Sequence, residues 1–185
     1  PGVDRRALER GIANGEVEPL LHRIEPKPGD CILVEAGTVH ALGEGVVIAE
    51  FQQMSDATFR VFDWNRVGAD GRPRELHVEK AMRCIDFDRG PVDPVVPVPQ
   101  VLENGDVREP LAKCAYFELE RWTLTAATEI GRDDRFTILM VLDGEARVRS
   151  PRGDLSFRRG ETVLLPSSIG ATMIYPVGRA VVLAC

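Results

Sequence analysis

The chain has 185 residues, of which 44% are hydrophobic and 28% charged, with a net charge of -6 at pH 7. This composition is enough for a compact core and differs from the basic surface that binds nucleic acid. No apolar run of about 18 residues is present, so we expect a cytoplasmic globular protein that binds neither nucleic acid nor membranes.

The first 22 residues are predicted to be a helical segment. Asp4 is a candidate N-cap for a short helix in which Leu8 and Ile12 lie four residues apart on one face. This helix is expected to end near Asn14-Gly15, and a second helical turn is expected to carry Val17, Leu20 and Leu21.

Strand patterns follow in residues 23–90. Segments rich in β-branched or aromatic residues predict strands at 31–35, 46–52 and 58–64. After a turn at 68–73, apolar residues at helical spacing predict a helix around 76–85.

A proline-rich stretch then separates the chain into two halves. Pro91, Pro94, Pro97 and Pro99 predict an extended linker, assigned to residues 91–112. Residues 113–185 are predicted to be all-β, because short strand patterns alternate with glycine turns, which is typical of an antiparallel barrel or sandwich. The predicted strands are 116–124, 136–142, 145–149, 154–157, 162–165, 172–175 and 180–183.

One spacing in the first half indicates a metal ligand. Gly29 is followed after five residues by Glu35, then by Ala36, Gly37, two residues and His40. This is similar to the cupin metal-binding pattern Gly-x5-Pro-x-Gly-x2-His, with Glu35 where proline is usual. A tight turn at Gly37 would direct His40 into a barrel, where an imidazole nitrogen binds a divalent metal at about 2.0–2.1 Å.

The residues around His40 resemble the mannose-6-phosphate isomerase family of the type I cupin class, in its short bacterial form. The resemblance is carried by AGTVHALGEG, by AE at 49–50, by QMSDATFR at 53–60 and by the following VFDWNR, and it continues through 70–77. It implies that His40 is a zinc ligand. It also implies that Glu50 and Arg60 line the sugar phosphate site and act in catalysis.

The implied reaction interconverts mannose 6-phosphate and fructose 6-phosphate through a zinc-assisted cis-enediol, with a small sugar phosphate as the partner. The implied fold is mainly β with a few short helices. Residues 23–90 would be the C-terminal part of the catalytic cupin, followed by a degenerate cupin-like domain at 113–185. There the cupin frame is repeated by Gly160, Pro166 and Ser168, with Ala171 in the histidine place.

The other zinc ligands of the family are missing from this chain. Type I members take a Gln-x-His pair and a glutamate from a segment before the histidine motif, whereas the first 28 residues here contain His22 and no glutamine. Catalytic zinc ordinarily needs three protein ligands. We therefore expect the chain to be the C-terminal part of a longer enzyme, which alone is inactive and binds zinc weakly or not at all.

Three alternatives remain open from the sequence. Glu50 and Arg60 could form a structural salt bridge. The chain could be a non-catalytic sugar-binding or structural cupin module, which the missing ligands and Ala171 permit. A different cupin enzyme, such as an oxygenase or epimerase, would need histidine-rich ligation and would not account for the segment ending at Arg60.

Overall fold

The computed structural model describes residues 2–55, 57–132, 134–150 and 153–185. The chain divides into two compact units, Pro1–Pro94 (unit 1) and Val95–Cys185 (unit 2). Within the described ranges, no helix has both the length and the apolar character needed to cross a membrane.

Unit 1 contains two α-helices, α1 (Arg5–Asn14) and α2 (Val78–Cys84), and a 3-10 turn at Glu18–Leu20. The predicted capping of α1 is confirmed, since the Asp4 carboxylate accepts a hydrogen bond of 2.7 Å from the Ala7 amide. Gly15 ends the helix with a positive φ of 74°.

The helices of unit 1 share a small core with the loop segments. Leu8, Val17 and Met82 are buried at its centre. Among the partly buried residues that pack against them are Val39, which precedes His40, and Phe62, which follows Arg60 by two positions. This packing fixes the loops that carry two of the predicted site residues.

The three strands predicted for unit 1 are wrong. Segments 31–35, 46–52 and 58–64 are not paired into strands, and within the described part of this unit the β-type pairing is one isolated bridge, between Val67 and Pro73. A strand requires a neighbouring strand to pair with its N–H and C=O groups, whatever its side chains favour. The segments lack that neighbour here, and Val47 is fully exposed.

Unit 2 is an antiparallel β domain. Its strands pair in the order β1-β2-β3-β8-β5-β6, with β4 on β8 and β7 on β5. The mainly β fold predicted for this half is confirmed. The strands are β1 (Gln100–Val101), β2 (Val107–Lys113), β3 (Glu118–Leu124), β4 (Thr128–Ile130), β5 (Thr137–Ser150), β6 (Gly153–Arg158), β7 (Thr162–Leu165) and β8 (Thr172–Ala184).

Two pairs of strands that were predicted as separate each form one long strand in the structure. Segments 136–142 and 145–149 belong to β5, and segments 172–175 and 180–183 belong to β8. The Asp143-Gly144 pair predicted a turn but lies at a register shift between β5 and β8. Gly144 has a φ of 79°, and a Cβ there would lie 2.2 Å from the Arg179 carbonyl oxygen, so this bulge needs glycine.

The range predicted as a linker also differs from the structure. β1 and all but the last residue of β2 lie within residues 91–112, so the sheet begins earlier than the predicted boundary. The run of closely spaced prolines ends at Pro99, and Pro110 in β2 is accommodated at a register shift against β3. The remaining domain boundaries stay predictions.

The core of unit 2 lies between the inward faces of these strands. Leu124, Leu139 and Ile174 are fully buried. The other buried members are Trp122, Ile130, Val141, Ala146, Val148, Phe157, Leu165, Ala180, Val182 and Ala184.

Candidate active site

His40 follows a tight turn, and a hydrogen bond determines the tautomer of its imidazole. Gly37 takes a φ of 89°, and the Thr38 amide donates to the Glu35 carbonyl at 3.1 Å to close the turn. The His40 Nδ1 atom lies 3.0 Å from the Thr38 carbonyl oxygen. Because a carbonyl only accepts, Nδ1 carries the hydrogen in the neutral ring, and Nε2 of this exposed residue keeps its lone pair.

Arg60 is held from both its backbone and its side chain. Its amide lies 3.3 Å from His77 Nδ1, and its carbonyl accepts from the His77 amide at 2.7 Å. Its Nη1 donates to the Glu75 carbonyl at 3.2 Å, and its Nε lies 3.7 Å from an Asp63 carboxylate oxygen. The guanidinium, 28% exposed, is thus oriented by two neighbours.

Asp63 is the centre of this arrangement. It is 7% exposed, and Arg74 donates to both of its oxygens, with Nε at 2.6 Å from Oδ2. The hydrogen bond from Arg74 lowers the pKa of Asp63 below its usual value despite the opposing effect of burial, with further help from the charges of Arg60 and Arg66. Asp63 therefore stays ionised and holds both Arg60 and Arg74.

Glu50 forms no hydrogen bond or ion pair with this cluster among the described residues. It is exposed, and in the described part of the chain it forms no ion pair with Arg60, whose carboxylate partner is Asp63. The alternative of a Glu50–Arg60 salt bridge is therefore not observed. The structure brings none of the side chains of His40, Glu50 and Arg60 into direct contact with another, and their roles stay predictions.

Sequence reasoning missed the residues that support the site. Arg74 reads as a solvated surface charge in the sequence, but it forms a paired contact with Asp63. His77 accepts from the Arg60 amide, a role that its position in the sequence does not indicate. The one available signal was the location of both residues within the segment that carries the family resemblance.

The cupin frame of unit 2 is present without a ligand. Gly160 has a φ of 85°, β7 follows, and Pro166 caps a 3-10 turn at Ser167–Ile169. Ala171 then lies directly before β8, and its methyl group offers no donor atom to a metal.

Residues 109–184 match the family model described as the cupin domain of mannose-6-phosphate isomerase. The chain is 34% identical over 170 residues to mannose-6-phosphate isomerase ManA of Bacillus subtilis, in a match covering 90% of this chain and 52% of that protein. Over nearly all of its length the chain is thus similar to mannose-6-phosphate isomerase.

Two further comparisons agree with this similarity. A mannose-6-phosphate isomerase of Streptococcus mutans is 30% identical, over 89% of this chain and 51% of its own length. The crystal structure of mannose 6-phosphate isomerase from B. subtilis superposes with a TM-score of 0.85 at 28% identity, covering all of this chain and 58% of that one. The cupin fold is thereby confirmed, and the chain spans about half the length of the curated relatives it matches.

The described residues of this chain do not form a zinc site by themselves. No group of three His, Cys, Asp or Glu side chains able to hold a metal occurs among them. His40 fits one ligand, because its Nε2 lone pair is exposed and its Nδ1 hydrogen is engaged. A catalytic zinc ordinarily takes three protein ligands, so His40 falls short of a complete site.

Proposed function

We propose that this protein acts as an aldose–ketose isomerase that interconverts mannose 6-phosphate and fructose 6-phosphate, and that these 185 residues supply part of its active site. The observation that carries the proposal is the 34% identity to B. subtilis ManA. Because that match covers 90% of the chain, it necessarily spans the segment from His40 to Arg60.

Isomerisation moves a proton between C2 and C1 of the sugar through a cis-enediol. A carboxylate removes the proton from one carbon and returns it to the other, while a cation stabilises the oxygen on which negative charge develops. Glu50 is our candidate for the proton transfer, since its carboxylate is exposed and is not engaged by Arg60.

Arg60 is our candidate for the cation. Asp63 and the Glu75 carbonyl lie against its Nε and Nη1, whereas no hydrogen bond or ion pair to its Nη2 is found among the described residues. A guanidinium anchored on one side presents a fixed donor on the other, which suits an enediolate oxygen or the phosphate of the substrate.

His40 is our candidate for one zinc ligand, through Nε2. The remaining ligands would have to come from residues outside the described ones. The unpaired segment 46–52 supports such a completion, because Val47 is fully exposed and Ile48 is half exposed. We propose that further strands of the whole protein pair with this segment and bring the other ligands with them.

The test is the formation of fructose 6-phosphate from mannose 6-phosphate with added zinc, in the full-length protein and in the 185-residue chain. We expect activity in the full-length protein and none in the short chain. His40→Ala should abolish the activity, and Glu50→Gln should reduce kcat by about 10²- to 10⁴-fold.

His22→Ala is the matched control, because His22 is an exposed histidine bonded to Asp93 at 3.0 Å. It should leave the rate unchanged. Absence of turnover in the full-length protein would refute the isomerase assignment, and full activity of the His40 variant would refute the ligand assignment.

A non-catalytic sugar-binding or structural module is the second candidate. It is favoured by the absence, among the described residues, of a three-ligand group and of an ion pair between Glu50 and Arg60. A full-length protein that binds mannose 6-phosphate in calorimetry without converting it would support this module.

A further inference from the structure

Arg89 contacts the turn before His40 at three points. Its Nη2 lies 3.1 Å from Glu35 Oε2, and its Nη1 donates to Thr38 Oγ1 at 3.1 Å and to the Ala36 carbonyl at 3.4 Å. One guanidinium therefore holds a residue at each end of the turn and the carbonyl between them.

The segment that carries Arg89 is itself fitted to this turn. The Asp86 amide donates to the Gly37 carbonyl at 3.1 Å, and a Cβ on Gly37 would lie 2.8 Å from the Cys84 carbonyl oxygen. Asp86 also lies 3.5 Å from Arg89 through its carboxylate and accepts from the Arg89 amide at 3.2 Å. The segment after α2 thus presents Arg89 in a fixed orientation.

The contacts of Arg89 with the turn also restrain the imidazole of His40. Arg89 holds the Thr38 side chain, and the Thr38 carbonyl accepts from His40 Nδ1. Val39, between them, packs against the core of unit 1. Few torsions remain free between the guanidinium contact and the imidazole ring, so the position of the turn determines where Nε2 points.

Glu35 explains why this turn needs a restraint from another segment. The cupin pattern has proline at this position, and a proline would fix the backbone φ of the turn covalently. Glu35 cannot do so, and as an ion pair at 58% exposure its contact with Arg89 alone would contribute little. Combined with the hydrogen bonds to Ala36 and Thr38, the pair restrains the turn from outside the backbone.

We propose that Arg89 is a positioning residue for His40, replacing through Glu35 the rigidity that proline gives the turn in the usual cupin pattern. The inference rests on the proposed role of His40 as a ligand. Its physical content is the orientation and tautomer of the imidazole, which are measurable in the 185-residue chain without metal or substrate.

The test is nitrogen NMR of the ¹⁵N-labelled imidazole rings. In the wild-type chain, His40 should be mainly protonated at Nδ1 in its neutral form. In Arg89→Ala, the ratio of Nδ1-protonated to Nε2-protonated rings should fall about two- to tenfold, because the Thr38 carbonyl is no longer held in line. Arg83→Ala is the matched control, since Arg83 pairs with exposed Glu79 on α2 and should not change the ratio.

A rescue variant separates positioning from general stability. Adding Glu35→Pro to Arg89→Ala should restore the wild-type ratio, because proline then fixes the turn without the guanidinium. If Arg89→Ala does not fold, Thr38→Val serves instead, since it removes one Arg89 contact while keeping the side-chain shape, and the ratio should fall in the same direction.

An unchanged ratio in the folded Arg89 variant, or in Thr38→Val where it replaces that variant, would overturn the proposal. Failure of Glu35→Pro to restore a reduced ratio would overturn the role given to Glu35. These readouts do not depend on turnover, so they remain valid if the full-length protein proves inactive, and an active full-length protein with an unchanged ratio would refute the positioning role alone.

Discussion

Asp106→Asn should destabilise unit 2 strongly, because Asp106 is a fully buried carboxylate with hydrogen-bond donors on both oxygens. Its Oδ1 accepts from the Thr125 amide at 2.6 Å, the Thr125 hydroxyl at 3.0 Å and the Ala126 amide at 3.2 Å. Its Oδ2 accepts from the Thr128 hydroxyl and from Asn104 Nδ2 at 3.0 Å. Asp106 thereby ties the loop before β2 to the turn between β3 and β4.

The size of the effect follows from the donors that asparagine would meet. The amide oxygen can replace Oδ1, but the NH₂ group would then face the Asn104 donor at the Oδ2 position. The bonds that survive also lose their charge, and a charged hydrogen bond contributes about 1.5–3 kcal/mol against about 0.5–1.5 for a neutral one. We expect a loss of about 3 kcal/mol in the free energy of unfolding, or a fall of about 12–24 °C in the Tm of unit 2.

The same carboxylate should contribute to the pH dependence of stability. Burial would raise the pKa of Asp106, but the hydrogen bonds from Thr128, Thr125 and Ala126 together outweigh it, so the pKa lies below its usual value. A lowered folded pKa means that the stabilisation is complete above the unfolded value of about 3.9 and is lost as the pH falls through the folded pKa. Asp106→Asn should lack this part of the acid dependence.

Urea denaturation at pH 7 and at a series of values down to pH 3 measures both effects. Asp154→Asn is the matched control, because Asp154 is 64% exposed and lies 3.8 Å from Arg149, and we expect a change of less than about 0.5 kcal/mol. A free energy of unfolding for Asp106→Asn within that same margin of the wild type would refute the reasoning.

Two further predictions concern unit 2. Gly144→Ala should lower the free energy of unfolding by at least about 3 kcal/mol in thermal denaturation, because the new Cβ would collide with the Arg179 carbonyl at a positive φ. Gly178 also has a positive φ but has nothing within 4 Å, so Gly178→Ala should lower it by only about 1–2 kcal/mol. Equal losses would contradict the steric argument. Glu109→Gln should lower the free energy of unfolding by about 1–2 kcal/mol at pH 7, because a hydrogen bond from Arg121 lowers the pKa of Glu109 despite burial. That difference should shrink as the pH falls below about 4, and a difference independent of pH would count against it.

The sequence predicted correctly those features of the structure that depend on interactions between nearby residues. Asp4 and Gly15 define the ends of α1 because capping involves residues within one turn of the helix. Alternating apolar residues located β3 and β7 because those strands present one face to the core.

The incorrect strand predictions have a common cause, because strand formation depends on pairing between distant segments. Residues 46–52 have strand composition, but composition does not supply a partner for the backbone. β5 and β8 each continue through a glycine that looks like a turn, since a bulge and a turn use the same residue type. β4 has three residues and is held by its pairing with β8, so it carries little pattern of its own.

The features of the candidate site also divide into local ones, which the sequence predicts, and distant ones, which it does not. The spacing from Gly29 to His40 is local and could be read from the sequence, whereas the supports of the site come from distant segments. Arg74 reaches back to Asp63, and Arg89 reaches back to Thr38 across 51 positions. A charged residue on an exposed helix or loop reads as solvated until its partner is located in space.

The two cupin frames of this chain show how the same turn is stabilised in different ways. In the second frame, Pro166 and the 3-10 turn at Ser167–Ile169 restrain the backbone locally, and the frame ends in Ala171. In the first, Glu35 takes the proline position, and the restraint comes from Arg89. A side-chain restraint leaves the backbone before His40 with more freedom when the contact is broken, because an ion pair is reversible and a proline ring is not. The frame with the external restraint is also the one that retains an imidazole, so in the proposed enzyme the geometry of the ligand depends on the segment after α2 as well as on the turn itself.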